Sequence, residues 1–187
     1  MPLEITFTLS DKDLSRFKTI ARKMTAAVSD RQGEIEIEKA AYKIIEVAMS
    51  PGLPDFIAER LLQLRVLLAM IKDDEWDLDD RERRRILSAM SYFTNPIDLI
   101  PDHIPGIGFL DDAIFVEIIV RELRVEIDAY NKFCEFRDEK EAELTAQGKE
   151  LGEDREEWVS SKREELLSEV NQTRSETDSE EYTFELL

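Results

Sequence analysis

Apolar residues recur every three or four positions through most of this chain, the spacing that places them on one face of an α-helix. The first stripe comprises Leu14, Phe17, Ala21 and Met24. Four longer stripes follow: Ile37, Ala41, Ile44, Ile45 and Ala48; Phe56, Ile57, Leu61, Leu64, Leu67, Leu68 and Ile71; Ile86, Leu87, Met90 and Phe93; Ile114, Phe115, Ile118, Ile119, Leu123, Ile127 and Tyr130. Because each stripe needs another helix to cover it, we expect an all-α bundle of five or six helices.

Capping and helix-breaking residues locate the ends of these helices. They predict helices over about 11–28, from Gly33 to just before Pro51, over about 54–71 and 81–93, and from Asp111 or Asp112 to about residue 143. Before them, Ile5, Phe7 and Leu9 alternate with threonines, which is typical of a short extended arm. Near the other end, Trp158, Leu166 and Val170 allow one more, weaker helix.

Charge divides the chain into two parts. It has 25 basic and 43 acidic side chains, a net charge of -18, of which -11 falls in residues 138–187 and -7 in residues 1–137. We therefore predict a helical domain over 1–137 and an acidic helical or disordered tail over 138–187. The negative charge repels phosphate backbones, so we expect no nucleic-acid partner.

The termini and the apolar stretches bear on location. The N-terminus lacks the basic and apolar regions of a secretory signal, and the strongest apolar stretches contain Arg65 and Glu117. With one cysteine and one histidine, the chain can form no internal disulfide and no Cys/His zinc site. We expect a cytoplasmic protein, and peripheral contact with the cytoplasmic membrane face stays open.

Residues 95–112, NPIDLIPDHIPGIGFLDD, form an unusual connection between two helices. This interhelical loop contains three of the six prolines, two of the six glycines, the only histidine and four aspartates. Proline fixes the backbone and glycine permits sharp bends, so the composition predicts a loop of defined shape. Its many isoleucines must pack on the bundle, on a partner or in a lipid interface.

The stretch from Tyr92 to Asp112, YFTNPIDLIPDHIPGIGFLDD, resembles the hallmark of the YkvA-like family, domain of unknown function 1232. A looser similarity covers about residues 80–125. The resemblance implies a mostly bacterial helical protein without an assigned biochemical role, whose members are often predicted to be membrane-associated. It carries over no catalytic residue. Asp111, Asp112, Glu117, Arg121 and Glu122 interrupt the apolar character that a multi-pass membrane form would need.

Two functions compete for the interhelical loop. In the first, the protein is a non-enzymatic interaction module without a cofactor, and the loop contacts an unknown protein partner or a membrane surface through Ile97, Ile100, Ile104, Ile107 and Phe109. In the alternative, a metal-dependent hydrolase-like enzyme binds Mg²⁺ or Mn²⁺ through Asp98, Asp102, His103, Asp111 and Asp112. The missing catalytic constellation favours the first. The aspartates also suit a structural role, as helix caps and turn residues.

Two other features bear on binding. The motif GIG at 106–108 lacks the third glycine of a dinucleotide fingerprint and follows no predicted strand, so we expect no nucleotide. Arg81, Arg83, Arg84 and Arg85 form the only basic cluster. These arginines either contact lipid phosphates or pair with the acidic run at 73–80 and Glu82, and we favour the pairing.

Overall fold

A computed structural model describes residues 31–94, 100, 102–104, 107–148 and 154–177, together with the isolated positions 10, 12, 15 and 19. The helices are α1 (Arg31–Ala48), α2 (Asp55–Leu61), α3 (Leu64–Lys72), α4 (Asp80–Met90), α5 (Leu110–Glu122), α6 (Arg124–Ala146) and α7 (Arg155–Thr177), and a 3₁₀ turn, Ser91–Thr94, follows α4. The all-α prediction is confirmed. The predicted N-terminal arm and most of the helix expected over 11–28 lie outside the described residues.

Helix α3 lies against α1, α4 and α6 and buries its broad apolar face among them. It buries Leu64, Leu67, Leu68, Met70 and Ile71. The burying partners come from the neighbouring helices and from the turn after α3; they include Ile37 and Ala41 of α1, Ile86 and Leu87 of α4, Trp76, and Phe133 of α6. Each large apolar side chain buried here contributes about 1.5–3 kcal/mol before the entropy of ordering is subtracted.

Two helices that the apolar pattern predicted as continuous are each divided, so those predictions are wrong in this detail. The first break lies at Leu62 and Gln63, where Gln63 donates to the Arg60 carbonyl and Arg65 to the Leu62 carbonyl over three residues rather than four. The second lies at Leu123, with φ -97° and ψ 16°. The breaks let α2 pack against α5 while α3 contacts α1 and α6.

Helix α7 packs along α6 and buries Val159, Leu166 and Val170 in the core. Its arginines reach acidic residues on other elements: Arg155 pairs with Glu75, and Arg163 with Asp77. Helix α6 runs through residue 137 without a break. The division of the chain at this residue stays a prediction.

Candidate functional site

The carboxylate of Asp111 anchors the interhelical loop to the bundle. Asp111 lies in the first turn of α5 and is 2% exposed. Its Oδ2 accepts hydrogen bonds from the Tyr92 hydroxyl at 3.2 Å and from the Ile100 amide at 3.1 Å. One side chain therefore connects α5 to Ile100 of the loop and to the turn before the loop. The sequence predicted a helix cap at Asp111 or Asp112, and this prediction is wrong: Phe109 holds the N-cap position of α5 without a side-chain cap bond, and Asp111 bonds to more distant residues instead.

The ring of Tyr92 packs against two other aromatic rings beside this hydrogen bond. It stacks on Phe115 with ring centroids 3.6 Å apart and an angle of 19° between the planes, and Phe93 meets it edge-on at 5.5 Å. Phe115 is itself buried in α5. Tyr92 therefore connects the 3₁₀ turn to α5 in two ways: its hydroxyl bonds to Asp111, and its ring stacks on Phe115.

Gly108 allows the loop to fold closely onto itself. A Cβ placed on Gly108 would lie 2.2 Å from the carbonyl oxygen of Asp102 and 2.7 Å from its carbonyl carbon. No side chain fits there, because real atoms do not approach backbone so closely. The Gly108 amide also donates to the Ile104 carbonyl at 2.9 Å, so these two described residues lie close together. The sharp bend that glycine permits is used at Gly108, and the shape of the whole loop stays a prediction.

The predicted contact residues differ in exposure. Ile107 is 46% exposed, whereas Ile100 and Ile104 are half-buried and Phe109 packs against the core. Ile97 lies outside the described residues. Among the residues proposed for contact, Ile107 is therefore the one that the described part of the loop presents most openly to solvent.

The five candidate metal ligands have unlike environments. Asp102 and His103 are exposed, Asp111 and Asp112 are buried in the first turn of α5, and Asp98 lies outside the described residues. Within the described part of the chain, no group of three or more His, Cys, Asp or Glu side chains converges closely enough to hold an ion. The described candidate ligands are thus not gathered at one point, and Asp98 is not described. The metal-dependent enzyme stays a prediction.

A pocket of about 370 Å³ lies beside the loop, between α1, the 3₁₀ turn and the start of α5. We call it the α1–α5 pocket. The described residues that line it are Glu36, Ala40, Lys43, Ile44, Val47, Tyr92, Phe93, Thr94, Asp102, Phe109 and Asp112. Six of these belong to the hallmark stretch, but the α1 wall was missed by sequence reasoning. The available signal was that Glu36, Ala40, Lys43 and Val47 follow helical spacing beside the apolar stripe of α1.

Two of the four arginines at the start of α4, Arg83 and Arg85, bond to other parts of the protein. Arg83 donates to the Ile71 carbonyl at 2.7 Å and pairs with Glu34, and Arg85 pairs with the buried carboxylate of Glu126. Arg81 and Arg84 are exposed. Pairing was the favoured interpretation, but apart from Glu82 the partners come from α1 and α6 rather than from the acidic run at 73–80.

The acidic run at 73–80 contains a second anchor that sequence reasoning missed. Asp73 accepts from the Glu75 amide at 3.0 Å and from the Tyr130 hydroxyl at 3.1 Å, and it pairs with Arg137 at 2.9 Å. Burial raises the pKa of the Tyr130 hydroxyl far above its ordinary value, and burial also raises the pKa of the neighbouring Cys134 thiol. Both groups therefore stay protonated near neutral pH, which suits a structural cluster better than a nucleophile.

A third cluster fixes the end of α7. Arg174 donates to both carboxylate oxygens of Glu82, at 2.7 and 2.8 Å, and also to Glu126, which Arg85 approaches from α4. The Arg174 hydrogen bonds hold the pKa of Glu82 below its usual range. Glu126 is buried, so it needs these two arginines as counter-charges.

Comparison with known proteins identifies the segment that contains the loop. Residues 83–117, from α4 across the loop into α5, match the profile of a family described as "Protein of unknown function (DUF1232)". We call residues 83–117 the DUF1232 segment after this match. The YkvA-like resemblance is thereby confirmed for the stretch, which holds Tyr92, Gly108 and Asp111. The family description assigns no activity, so the DUF1232 segment brings no catalytic residue with it.

A curated relative supports the same assignment. The chain is 38% identical over 48 residues to a protein of Bacillus subtilis (strain 168) named "Uncharacterized membrane protein YkvA". The match covers 26% of this chain and 45% of that relative, so it spans less than half of the relative's length. No solved protein structure significantly matches the chain. Among the helices of the described residues, none combines the length and apolar character needed to cross a bilayer.

Proposed function

We propose that the protein is a non-enzymatic interaction module that acts at the cytoplasmic membrane face, on the lipid surface or on a protein partner there. The interhelical loop makes the contact, with Ile107 at its centre. The observation that carries the proposal is that Ile107 is 46% exposed next to Gly108, whose backbone closely approaches that of Asp102, while Asp111 bonds to Ile100. An apolar side chain on a backbone that is held in place loses little conformational entropy when it is buried in a complex.

Two further points support this function. The curated relative that shares the DUF1232 segment is named as a membrane protein, which favours a membrane-related site of action. Beside Asp73, burial raises the pKa of the Tyr130 hydroxyl and the pKa of the Cys134 thiol. Neither group is therefore an activated nucleophile at neutral pH. The two points support a contact surface as the basis of the function.

The test compares two matched substitutions in the full chain. Ile107→Asp places a charge at the proposed contact, and Ile35→Asp makes the same change on α1 at a side chain that is 39% exposed. Both variants should keep the helical circular dichroism spectrum. Phe109 is avoided because it packs against the core, so a charge there would unfold the protein.

Membranes of the source cells are incubated with each variant and sedimented. We expect Ile107→Asp to weaken the association about tenfold or more, since burial of an isoleucine contributes about 1.5–3 kcal/mol, and Ile35→Asp to leave it unchanged. Equal sedimentation of both variants and the parent protein would refute the proposal. Vesicles made from the extracted lipids repeat the assay without proteins: retained binding indicates the lipid surface, and lost binding indicates a protein partner in the membrane.

A further inference from the structure

The α1–α5 pocket has the size and the walls of a small-molecule site. Its volume of about 370 Å³ falls within the range of about 300–1,000 Å³ that is typical of ligand pockets. Three separate parts of the chain form it, namely α1, the 3₁₀ turn and the loop with the first turn of α5. Ile107, the centre of the proposed contact surface, is not among the described lining residues, whereas Phe109 belongs both to the pocket and to the predicted contact residues.

The charged groups of the pocket favour a cationic ligand. Among the described lining residues, three carry carboxylates, Glu36, Asp102 and Asp112, and one, Lys43, carries an ammonium group. Asp112 is 5% exposed and lies in the first turn of α5, the end of a helix at which negative charge is favoured. A carboxylate in a concave site of reduced dielectric attracts a cation more strongly than the same group on an open surface.

The apolar walls favour an organic ligand over a bare metal ion. The rings of Phe93, Phe109 and Tyr92 line the pocket together with Ile44 and Val47 of α1. Aromatic faces attract ammonium groups through their quadrupole, and aliphatic side chains bury a hydrocarbon body. In the described part of the chain, no three carboxylates converge as a metal ion would require.

From the cavity, its charge and its aromatic lining together, we infer that the α1–α5 pocket binds a small organic cation, an ammonium group attached to an apolar body. The ammonium lies toward Asp112 and Asp102, and the apolar body lies against Phe93, Ile44 and Val47. Lys43 at the same pocket lowers the affinity for the cation. No reaction is involved, and the ligand leaves the pocket unchanged.

The experiment titrates the full chain with butylammonium and with butyrate, which has a similar hydrocarbon body but the opposite charge. Calorimetry measures the affinity, and the amide resonances of Phe93 and Thr94 report binding when the heat is small. We expect saturable binding of butylammonium at one site and at least about tenfold weaker binding of butyrate, because the carboxylates repel it. No shift or heat with butylammonium, or equal binding of butyrate, would overturn the inference.

Variants separate the pocket from the general negative charge of the protein. Asp102→Asn and Glu36→Gln change exposed residues of the pocket, so they leave the core intact, and each should weaken butylammonium binding several-fold. Asp128→Asn removes the same charge from an exposed position on α6 and should have no effect. Lys43→Ala should strengthen binding. If Asp128→Asn weakens binding as much as Asp102→Asn, the attraction is nonspecific and the inference fails; if Mg²⁺ displaces butylammonium stoichiometrically, the site is a metal site and the inference fails as well.

Discussion

Replacement of Tyr92 by Phe tests whether the Tyr92 hydroxyl, which is bonded to Asp111, anchors the interhelical loop. The change removes one oxygen and leaves the ring, so the stack on Phe115 at 3.6 Å is retained. Tyr92 is 5% exposed and Asp111 2%, so water does not readily replace the lost hydrogen bond. The variant therefore isolates a single buried interaction between the turn after α4 and the first turn of α5.

The expected cost follows from the geometry of this bond. A hydrogen bond to a charged group contributes about 1.5–3 kcal/mol. The 3.2 Å separation is long for an O–H···O bond, whose usual range is about 2.5–3.0 Å, so we take the lower end, about 1.5 kcal/mol. For a chain of this size that loss lowers the melting temperature by about 3–6 °C.

Urea unfolding followed by far-ultraviolet circular dichroism measures the change, with Tyr42→Phe as the matched control. Tyr42 is 45% exposed on α1, so its variant should stay within about 0.5 kcal/mol of the parent protein. Hydrogen exchange gives a second readout: the Ile100 amide, which donates to the same carboxylate, should exchange faster in Tyr92→Phe. If both variants match the parent in stability and exchange, the Tyr92 hydroxyl is not an anchor and the account of the loop is wrong.

Three further predictions concern the loop, the α7 cluster and the lone thiol. Gly108→Ala should lower the free energy of unfolding by about 1–3 kcal/mol in urea, because the new Cβ forces the Asp102 backbone to move; an unchanged value would contradict the close approach. Arg174→Gln should destabilise the protein by about 2 kcal/mol at neutral pH. In the parent protein the pKa of Glu82 is lowered, so this group adds stability above its ordinary pKa of 4.5, and the added stability is lost as the pH falls through the lower pKa of the folded state. The variant should lose less stability over this pH range. Identical acid-unfolding curves of parent and variant would refute this. Cys134 should react slowly with iodoacetamide at neutral pH, because burial raises the pKa of its thiol above the ordinary 9.0; a rate equal to that of a free thiol would contradict the burial.

The Arg174 prediction has a control on the same helix. Lys162→Gln removes a charge that forms an ion pair with Glu165 within α7 itself. Its loss should leave the acid dependence of stability unchanged. A similar effect of both substitutions would show that the general charge of α7, rather than the bond from Arg174 to Glu82, governs the pH dependence.

The sequence predicts the helices because burial repeats with the helical period. Ile37, Ala41, Ile45 and Ala48 form the stripe that α1 buries, and Asp79 caps α4 by accepting from the Glu82 amide at 2.8 Å. Both signals are local, since a cap and its amide lie three residues apart. The hallmark stretch also indicated the right place for a defined loop, and Gly108 shows the physical reason for one of its glycines.

The breaks at Gln63 and Leu123 were missed because no local signal marks them. Neither position has a proline or glycine, and the apolar stripe continues across both. Both segments contact α1, but the chain bends where their other partners differ, since α2 packs on α5 while α3 lies against α4 and α6. That preference depends on residues far away in the sequence, so periodicity alone predicts one long helix at each place.

The attachment of α7 shows why net charge predicts association poorly. Residues 138–187 carry -11 and the rest of the chain -7, so the totals alone predict that the two parts repel each other. The structure instead turns individual arginines of α7 toward acidic residues of the bundle: Arg155 meets Glu75, and Arg174 meets Glu82 and the buried Glu126. Attraction between close, partly buried charges exceeds the repulsion between distant exposed ones, because water and salt screen the latter over about 10 Å. The direction in which a few basic side chains point therefore decides how an acidic helix binds an acidic bundle, and the sum of the charges does not.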